Sequence, residues 1–267
     1  MEIDIQKKDL EENRQRVKIT ILGSGTCVPS LKRHSCAALI KGKSMHILLD
    51  AGPGTMEQLL KLNVHINDID MILLSHFHLD HCAEVAPFLF ATKYPGFKRK
   101  KRLTLVGGSG IENLFKNLNK TYDNSLDLPE GCFKIVELNE KGSLDLNQEG
   151  LQLYYTRVDH KPESRAYRLT DKTGFSIVYS GDTDYSDHLI ELSRSSDLLI
   201  CESTLPDEKK IPGHLTPSLA GEIAAKAGVK KLVLTHFYPE CDTVDIKMQC
   251  RKMFQGRIIL AEDLLDL

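Results

Sequence analysis

The chain lacks several features that would settle its class at once. It holds no run of about 18 apolar residues, so no membrane span is expected. Its seven cysteines (Cys27, Cys36, Cys82, Cys132, Cys201, Cys241, Cys250) are odd in number, scattered and without a C-x-x-C pair, which excludes a disulfide framework and a cysteine-rich zinc module. Charge of one sign is missing as well. The 35 Lys+Arg against 37 Asp+Glu leave a formal net charge of -2, without the basic excess of a general nucleic-acid binder. Nucleic acid is then a partner only through a local contact. Internal repeats and low-complexity linkers are also absent.

What is present is ordinary for a globular chain. With 41% hydrophobic and 27% charged residues in 267, a core can form without disulfides or a structural metal, so a metal here would serve chemistry. Residues 1–16 (MEIDIQKKDLEENRQR) are too charged for a signal peptide and read as a polar N-terminal extension. Residues 17–267 read as one domain, and the reduced thiols point to the cytoplasm. Apolar and alternating runs predict strands at 17–22, 36–40, 45–49, 71–74, 103–106, 133–137, 151–156, 166–170, 175–179, 198–201, 232–235 and 257–260. Helical spacing covers 54–62, 84–92, 111–119, 188–193, 217–227 and 243–253. The helix at Pro217 is signalled best, since Thr216 offers an N-cap oxygen and Gly228 follows the apolar stretch. Two mixed sheets with outer helices, an α/β (α+β) arrangement, account for this order.

The chemistry concentrates in Ser75-His76-Phe77-His78-Leu79-Asp80-His81, directly after an expected strand. Residues two apart in an extended segment project to one side while Asp80 and His81 diverge, a spacing that divides ligands between neighbouring metals. His160 in VDHKPESRAYRL, Asp182 in VYSGDTD and His236 in LVLTHF each end an expected strand. Singly, each reads as a hydrogen-bonded structural residue. Together with the cluster they exceed the ligands of one zinc and suit a two-metal site that Asp182 can bridge. The run Lys98-Arg99-Lys100-Lys101-Arg102 lacks interleaved aromatics and reads as a solvated connection rather than a phosphate patch. Gly107-Gly108-Ser109-Gly110 lacks the Gly-Lys-Ser/Thr ending of a phosphate loop and reads as a turn. Cys82 reads as packing. His46, His65 and His188 are assigned to structure or surface, with His34 the one among the remaining histidines placed near a pocket.

The succession LGSGTCVP, LLDAGPGT, the histidine cluster, the later His, GDT and THF resembles the metallo-β-lactamase superfamily, whose H-x-H-x-D-H signature is matched in full from His76 to His81. The resemblance runs from Val17 over almost the whole chain. It implies a four-layer αββα sandwich with metals at one edge between the sheets. It also implies that His76, His78 and His160 hold one metal, that Asp80, His81 and His236 hold the other, and that Asp182 bridges. No acidic residue replaces an imidazole, as the oxygen-reducing di-iron branch would require, so two zinc ions are favoured, with manganese or iron left open. Two such cations lower the pKa of a water between them and stabilise charge on the attacked group, with Asp80 orienting or deprotonating the water.

Glu202 in DLLICESTLPD and His214 in GHLTPSLAGEIA look like the E-x-T and H-x-T pairing of the ribonuclease Z-like branch, in which the Glu holds the His as proton donor. One departure concerns substrate. The tRNA-processing members carry a long arm between the third His and the bridging Asp, whereas His160 and Asp182 are 22 positions apart, filled by strand, turn (171–174) and strand. The expectation is a dinuclear zinc hydrolase, a phosphodiesterase for small nucleotides or nucleic-acid ends. Alternatives are hydrolysis of a lactone, thioester or carboxylic ester on the same centre, tRNA 3′-end cleavage, and a non-catalytic metal-bearing effector. No membrane partner is expected, and a homodimer is left open.

Overall fold

The computed structural model describes residues 17–42, 44–146 and 150–267, so the expected extension over 1–16 lies outside the described residues. The strands are β1 (Lys18–Gly23), β2 (Ala37–Lys41), β3 (His46–Leu49), β4 (Ile69–Leu73), β5 (Leu103–Gly107), β6 (Phe133–Glu137), β7 (Lys141–Leu146), β8 (Leu151–Arg157), β9 (Arg165–Thr170), β10 (Ser176–Tyr179), β11 (Leu198–Glu202), β12 (Lys231–Thr235), β13 (Arg257–Leu260) and β14 (Leu265–Asp266). They form two sheets, β14-β1-β2-β3-β4-β5-β6 and β13-β12-β11-β10-β9-β8-β7. Within them β3 to β6 run parallel, as do β10 to β13, while the remaining neighbours are antiparallel.

The strands read as unbroken apolar runs because both faces of the first sheet are covered. Ile47 and Leu49 of β3, with Met71 and Leu73 of β4, share a core with Leu153, Tyr155 and Leu169 of the second sheet. The alternate residues Leu48 and Ile72 lie in a second core with Leu59, Phe88 and Leu89. Those last three belong to α1 (Thr55–Lys61) and α3 (Val85–Ala91), between which lies the four-residue α2 (Leu79–Cys82). With α4 (Ile111–Thr121), α1 and α3 cover the first sheet; α5 (Asp187–Leu192), α6 (Pro217–Ala227) and α7 (Ile246–Arg251) pack against the second. The layers are α, β, β, α, as the resemblance implies. Among the described residues no helix is long and apolar enough to cross a membrane, and all seven cysteines are free.

Several sequence expectations need correction. The polar edge strand β7 (KGSLDL) carries too weak an apolar signal to be anticipated. The helix expected over 243–253 is only α7, because Pro239–Thr243 makes a separate 3₁₀ turn and Asp245 caps a fresh start by accepting from the Met248 N–H. Thr216 has extended N-cap backbone but its side chain makes no capping bond; Asp207 instead accepts from the N–H and hydroxyl of Ser218.

The basic run is not simply a solvated connection. The Arg99 guanidinium is buried and donates to the carbonyls of Ile69 (2.9 Å), Ile66 (2.6 Å) and Lys101 (3.3 Å). Lys101 pairs with Asp70, and Arg102 Nε donates to Gly131 O. Lys98 and Lys100 stay exposed. Removing Arg99 strands carbonyls in the interior, each costing about 1–3 kcal/mol. Arg99→Ala should therefore lower the urea-unfolding free energy by about 2–4 kcal/mol, while Lys98→Ala and Lys100→Ala stay within about 0.5 kcal/mol. Equal small effects in all three would refute the structural role.

Candidate metal centre

The chain leaves the carboxyl ends of its strands into one cleft between the sheets, where open α/β sheets place their ligands. Asp50 follows β3, the histidine cluster follows β4, His160 follows β8, Asp182 follows β10, Glu202 ends β11 and His236 follows β12. Two of these exits turn through left-handed backbone, at Asp50 (φ 60) and His236 (φ 60). Such a conformation in a non-glycine residue persists only where the surroundings hold it, and it is frequent at functional sites. Gly181 (φ 57) makes a third such turn, and a Cβ there would lie 2.4 Å from Cβ of Ser75. His76 and His78 lie on the extended segment, and Asp80 and His81 on the first turn of α2, so the two pairs face differently as their spacing predicts.

All nine residues singled out in the sequence meet here. One group brings ligand atoms of His76, His78, His160 and Asp182 within 4.8 Å of one another. On the other side, His81 Nε2 lies 3.2 Å from His236 Nε2, and both lie 3.3 Å from Asp182 Oδ1. Asp80 Oδ2 is 3.5 Å from His236 Nε2. Asp182, with Oδ2 also 3.5 Å from His76 Nε2, stands between the two groups.

The hydrogen bonds around the rings decide which nitrogens carry lone pairs. His81 Nδ1 donates to Asp50 Oδ2 (2.7 Å) and His160 Nδ1 donates to Gly213 O (2.8 Å), so each ring turns its Nε2 toward the cleft. The Thr204 hydroxyl donates to Glu202 Oε2 (2.5 Å), so its oxygen can accept from His236 Nδ1 (3.0 Å), which turns that Nε2 the same way. Three acceptors, two ring nitrogens and a carboxylate oxygen, thus face one small space. His76 Nε2 and Asp182 Oδ1 are buried with no hydrogen-bond partner. Orphaned acceptors converging at this separation fit a divalent cation.

The electrostatics agree. Burial, then the neighbouring His81, pushes His76 far below its ordinary range despite Asp182, so its imidazole is neutral and able to ligate. Burial opposes charge on His81, but Asp182 and Asp50 outweigh it and hold the ring's pKa well above ordinary. Carboxylates that favour a proton there favour a cation in its place. Burial would raise Asp182, but His236, His81 and His76 hold it well below the carboxylate range.

Glu202 and His214 are paired. Glu202 Oε1 accepts from His214 Nδ1 (3.0 Å) and the Thr183 N–H (2.9 Å), and Oε2 from the Leu215 N–H (3.0 Å) and the Thr204 hydroxyl. Burial disfavours charge on His214, yet the Glu202 hydrogen bond and charge, with Asp182, raise its pKa overall. His34 is anchored beside the loop: its Nδ1 and backbone N–H both bond Asp263 Oδ2 at 2.7 Å. Cys82 is packing, as expected, with Sγ donating to Phe77 O.

Sequence reasoning missed Asp50, Thr204 and Cys36. Asp50 accepts from the Ser75 N–H (2.6 Å) and hydroxyl (2.8 Å) and the Tyr179 hydroxyl (2.6 Å) as well as from His81. Its signal was the strand-end position in LLDAG, the same signal that marked Asp182. Cys36 is buried with Sγ within 4.8 Å of nitrogens of His81 and His236. Burial first, then Asp182, Asp50 and Asp80, raises its thiol well above ordinary. Asp50→Asn keeps a side chain tolerant of φ 60 but puts an amide N–H₂ among donors. It should lower zinc retention against a chelator by about 10–100-fold while the protein stays folded. Unchanged retention would remove Asp50 from the support of His81.

Comparison with known proteins matches this architecture. The β-lactamase superfamily domain model matches residues 45–237. The Mycobacterium tuberculosis protein Rv1339 is 30% identical over 91% of this chain and 88% of its own length. The ribonuclease Z of Methanosarcina acetivorans is 29% identical, covering 94% of this chain and 97% of its own. That alignment runs over 301 positions, so the archaeal enzyme carries tens of residues with no counterpart here. The crystal structure of the metallo-β-lactamase fold protein YhfI from Bacillus subtilis superposes with a TM-score of 0.80 at 24% identity, over 94% of this chain and 99% of that one. A signature met in full, the αββα layers and a family match over most of the chain make it a member of the metallo-β-lactamase superfamily, of the ribonuclease Z-like kind.

Proposed function

We propose that the protein is a metal-dependent hydrolase of small phosphodiesters, nucleotides or nucleic-acid ends, working in the cytoplasm with two zinc ions. The observation that carries the reading is the Glu202–His214 pair set 3.9 Å (His214 Nδ1 to Asp182 Oδ2) from the carboxylate shared by the two ligand groups. A proton donor beside a centre for cations suits cleavage of a bond whose leaving oxygen needs a proton. His76, His78 and His160 would hold one cation, Asp80, His81 and His236 the other, and Asp182 would touch both. When bound, such a pair lowers the pKa of water toward neutrality and withdraws charge from the attacked phosphorus.

The chain's own groups do the rest. Asp80, a carboxylate at the edge of the cleft with 11% of its side chain exposed, takes the proton of the incoming water at an oxygen not directed to His236. Glu202 Oε1 keeps Nδ1–H of His214 in place, so the proton that moves to the leaving oxygen is the one on Nε2. After transfer the ring is still held by the same bond and can be reprotonated in position.

The 22 positions from His160 to Asp182 are taken up by β9, a turn pinned by Asp171 Oδ1 on the Thr173 and Phe175 N–H groups, and β10. A tRNA-gripping arm has no place there, and this supports small substrates over tRNA ends.

Zinc-loaded protein should hydrolyse bis(p-nitrophenyl) phosphate, with Asp80→Ala slower by at least about 100-fold. Turnover of lactones or thioesters with none of the diester would transfer the reading to carbonyl esters, and no turnover at full metal content would overturn it. His214→Ala should keep its metal and slow diesters with alkoxide leaving groups by about 10²–10⁴-fold, while leaving the nitrophenyl diester nearly unaffected. Equal loss on both would remove His214 as proton donor.

A further inference from the structure

Cys36 is the thiol that the reading above leaves unused. It lies immediately before β2 and is 2% exposed. Its Sγ and one nitrogen each of His81 and His236 lie within 4.8 Å of one another. Other buried thiols near the cleft are engaged with carbonyls: Cys82 Sγ donates to Phe77 O (3.3 Å), and Cys241 Sγ to Thr204 O (3.3 Å) and Ser203 O (3.6 Å). Cys36 Sγ makes no hydrogen bond among the described residues and is directed at imidazoles instead.

A second observation marks a ligand position beside the same two rings. Asp182 Oδ1 is buried, has no hydrogen-bond partner, and lies 3.3 Å from Nε2 of both His81 and His236. Cys36 and the orphaned carboxylate oxygen of Asp182 therefore lie beside the same two rings, His81 and His236. The first group, His76, His78, His160 and Asp182, has no sulfur in it.

We propose that Cys36 supplies a thiolate to the cation held by Asp80, His81 and His236, so that the two cation positions differ in kind. The inference rests on the two-cation reading above. As the sulfur–metal bond forms, the S–H bond breaks and its proton passes to solvent, so filling this position releases a proton. A thiolate selects zinc or cadmium over manganese or magnesium, whereas the sulfur-free position discriminates less. The chain would then retain one soft cation while exchanging the other.

Cobalt(II) loading of the full chain tests this, with bound metal counted by mass spectrometry. Wild type and Cys82→Ser should show the near-ultraviolet thiolate-to-cobalt charge-transfer band, and Cys36→Ser should lack it. Two bound cobalts without the band would overturn the thiolate and leave the two-cation reading standing. One bound cobalt without the band would overturn both, and one with the band would keep the thiolate and remove the second cation. Persistence of the band in Cys36→Ser would assign it to another cysteine and also refute the proposal. Affinity separates ligation from mere packing: Cys36→Ser, or Cys36→Ala should the serine variant not fold, should lose at least about tenfold in cadmium affinity with manganese affinity unchanged. Equal losses for the two metals would mean a structural role only.

Discussion

The arrangement turns on one carboxylate that its neighbours cannot satisfy. Asp182 is 2% exposed, and the groups around it are ring nitrogens. Hydrogen bonds on the far side of each ring, to Asp50 and Thr204, turn the Nε2 atoms of His81 and His236 toward Asp182, whose Oδ1 is left without a hydrogen-bond partner. Buried polar groups are ordinarily paired. A fold that instead builds a second layer of acceptors to keep these unpaired has reserved the space for positive charge. The sheets serve that end: five parallel strands and the antiparallel β8 bring six strand ends to one cleft, and the αββα layering covers the apolar faces that make those ends rigid.

How much of this the sequence disclosed depended on how local each piece was. His76 to His81 could be read from spacing because one strand exit and one helical turn hold all four groups. His160, Asp182 and His236 showed only as polar residues ending apolar runs, and it took their company to give them a role. Asp50 had the same mark but stands 31 positions from His81, and only the pairing of β3 with β4 brings it beneath that ring. Thr204 and Cys36 are small and common residue types whose meaning comes from neighbours contributed by other strands. The fold class was legible from the order of runs, whereas β7 was lost because a polar edge strand has no apolar face to announce it.

Arg99 shows the converse error, in which a local pattern suggests surface and the tertiary structure makes core. Five successive basic residues look like one charged face, yet they separate into a buried guanidinium that holds three carbonyls, two cations committed to neighbours, and two exposed lysines. A phosphate-binding surface needs its cations free. With this run mostly occupied and no arm inserted after His160, recognition falls to the cleft. Five imidazoles line it with the carboxylates of Asp80 and Asp182.

The proton donor and the centre are also mechanically one. Glu202 Oε1 holds His214, Glu202 Oε2 holds the Thr204 hydroxyl, and Thr204 Oγ1 in turn receives His236. The His214 and His236 rings are thus referenced to the same carboxylate. Backbone N–H groups of Thr183 and Leu215 clamp that carboxylate in turn, from the turn after β10 and the loop before α6. The separation of the His214 and His236 rings is then set by covalent geometry and these three hydrogen bonds. The loop from β11 to α6 is tied in from outside as well: Lys210 Nζ pairs with Asp184 Oδ2 (2.9 Å), and the same oxygen accepts from the Gly213 N–H (2.8 Å) next to His214.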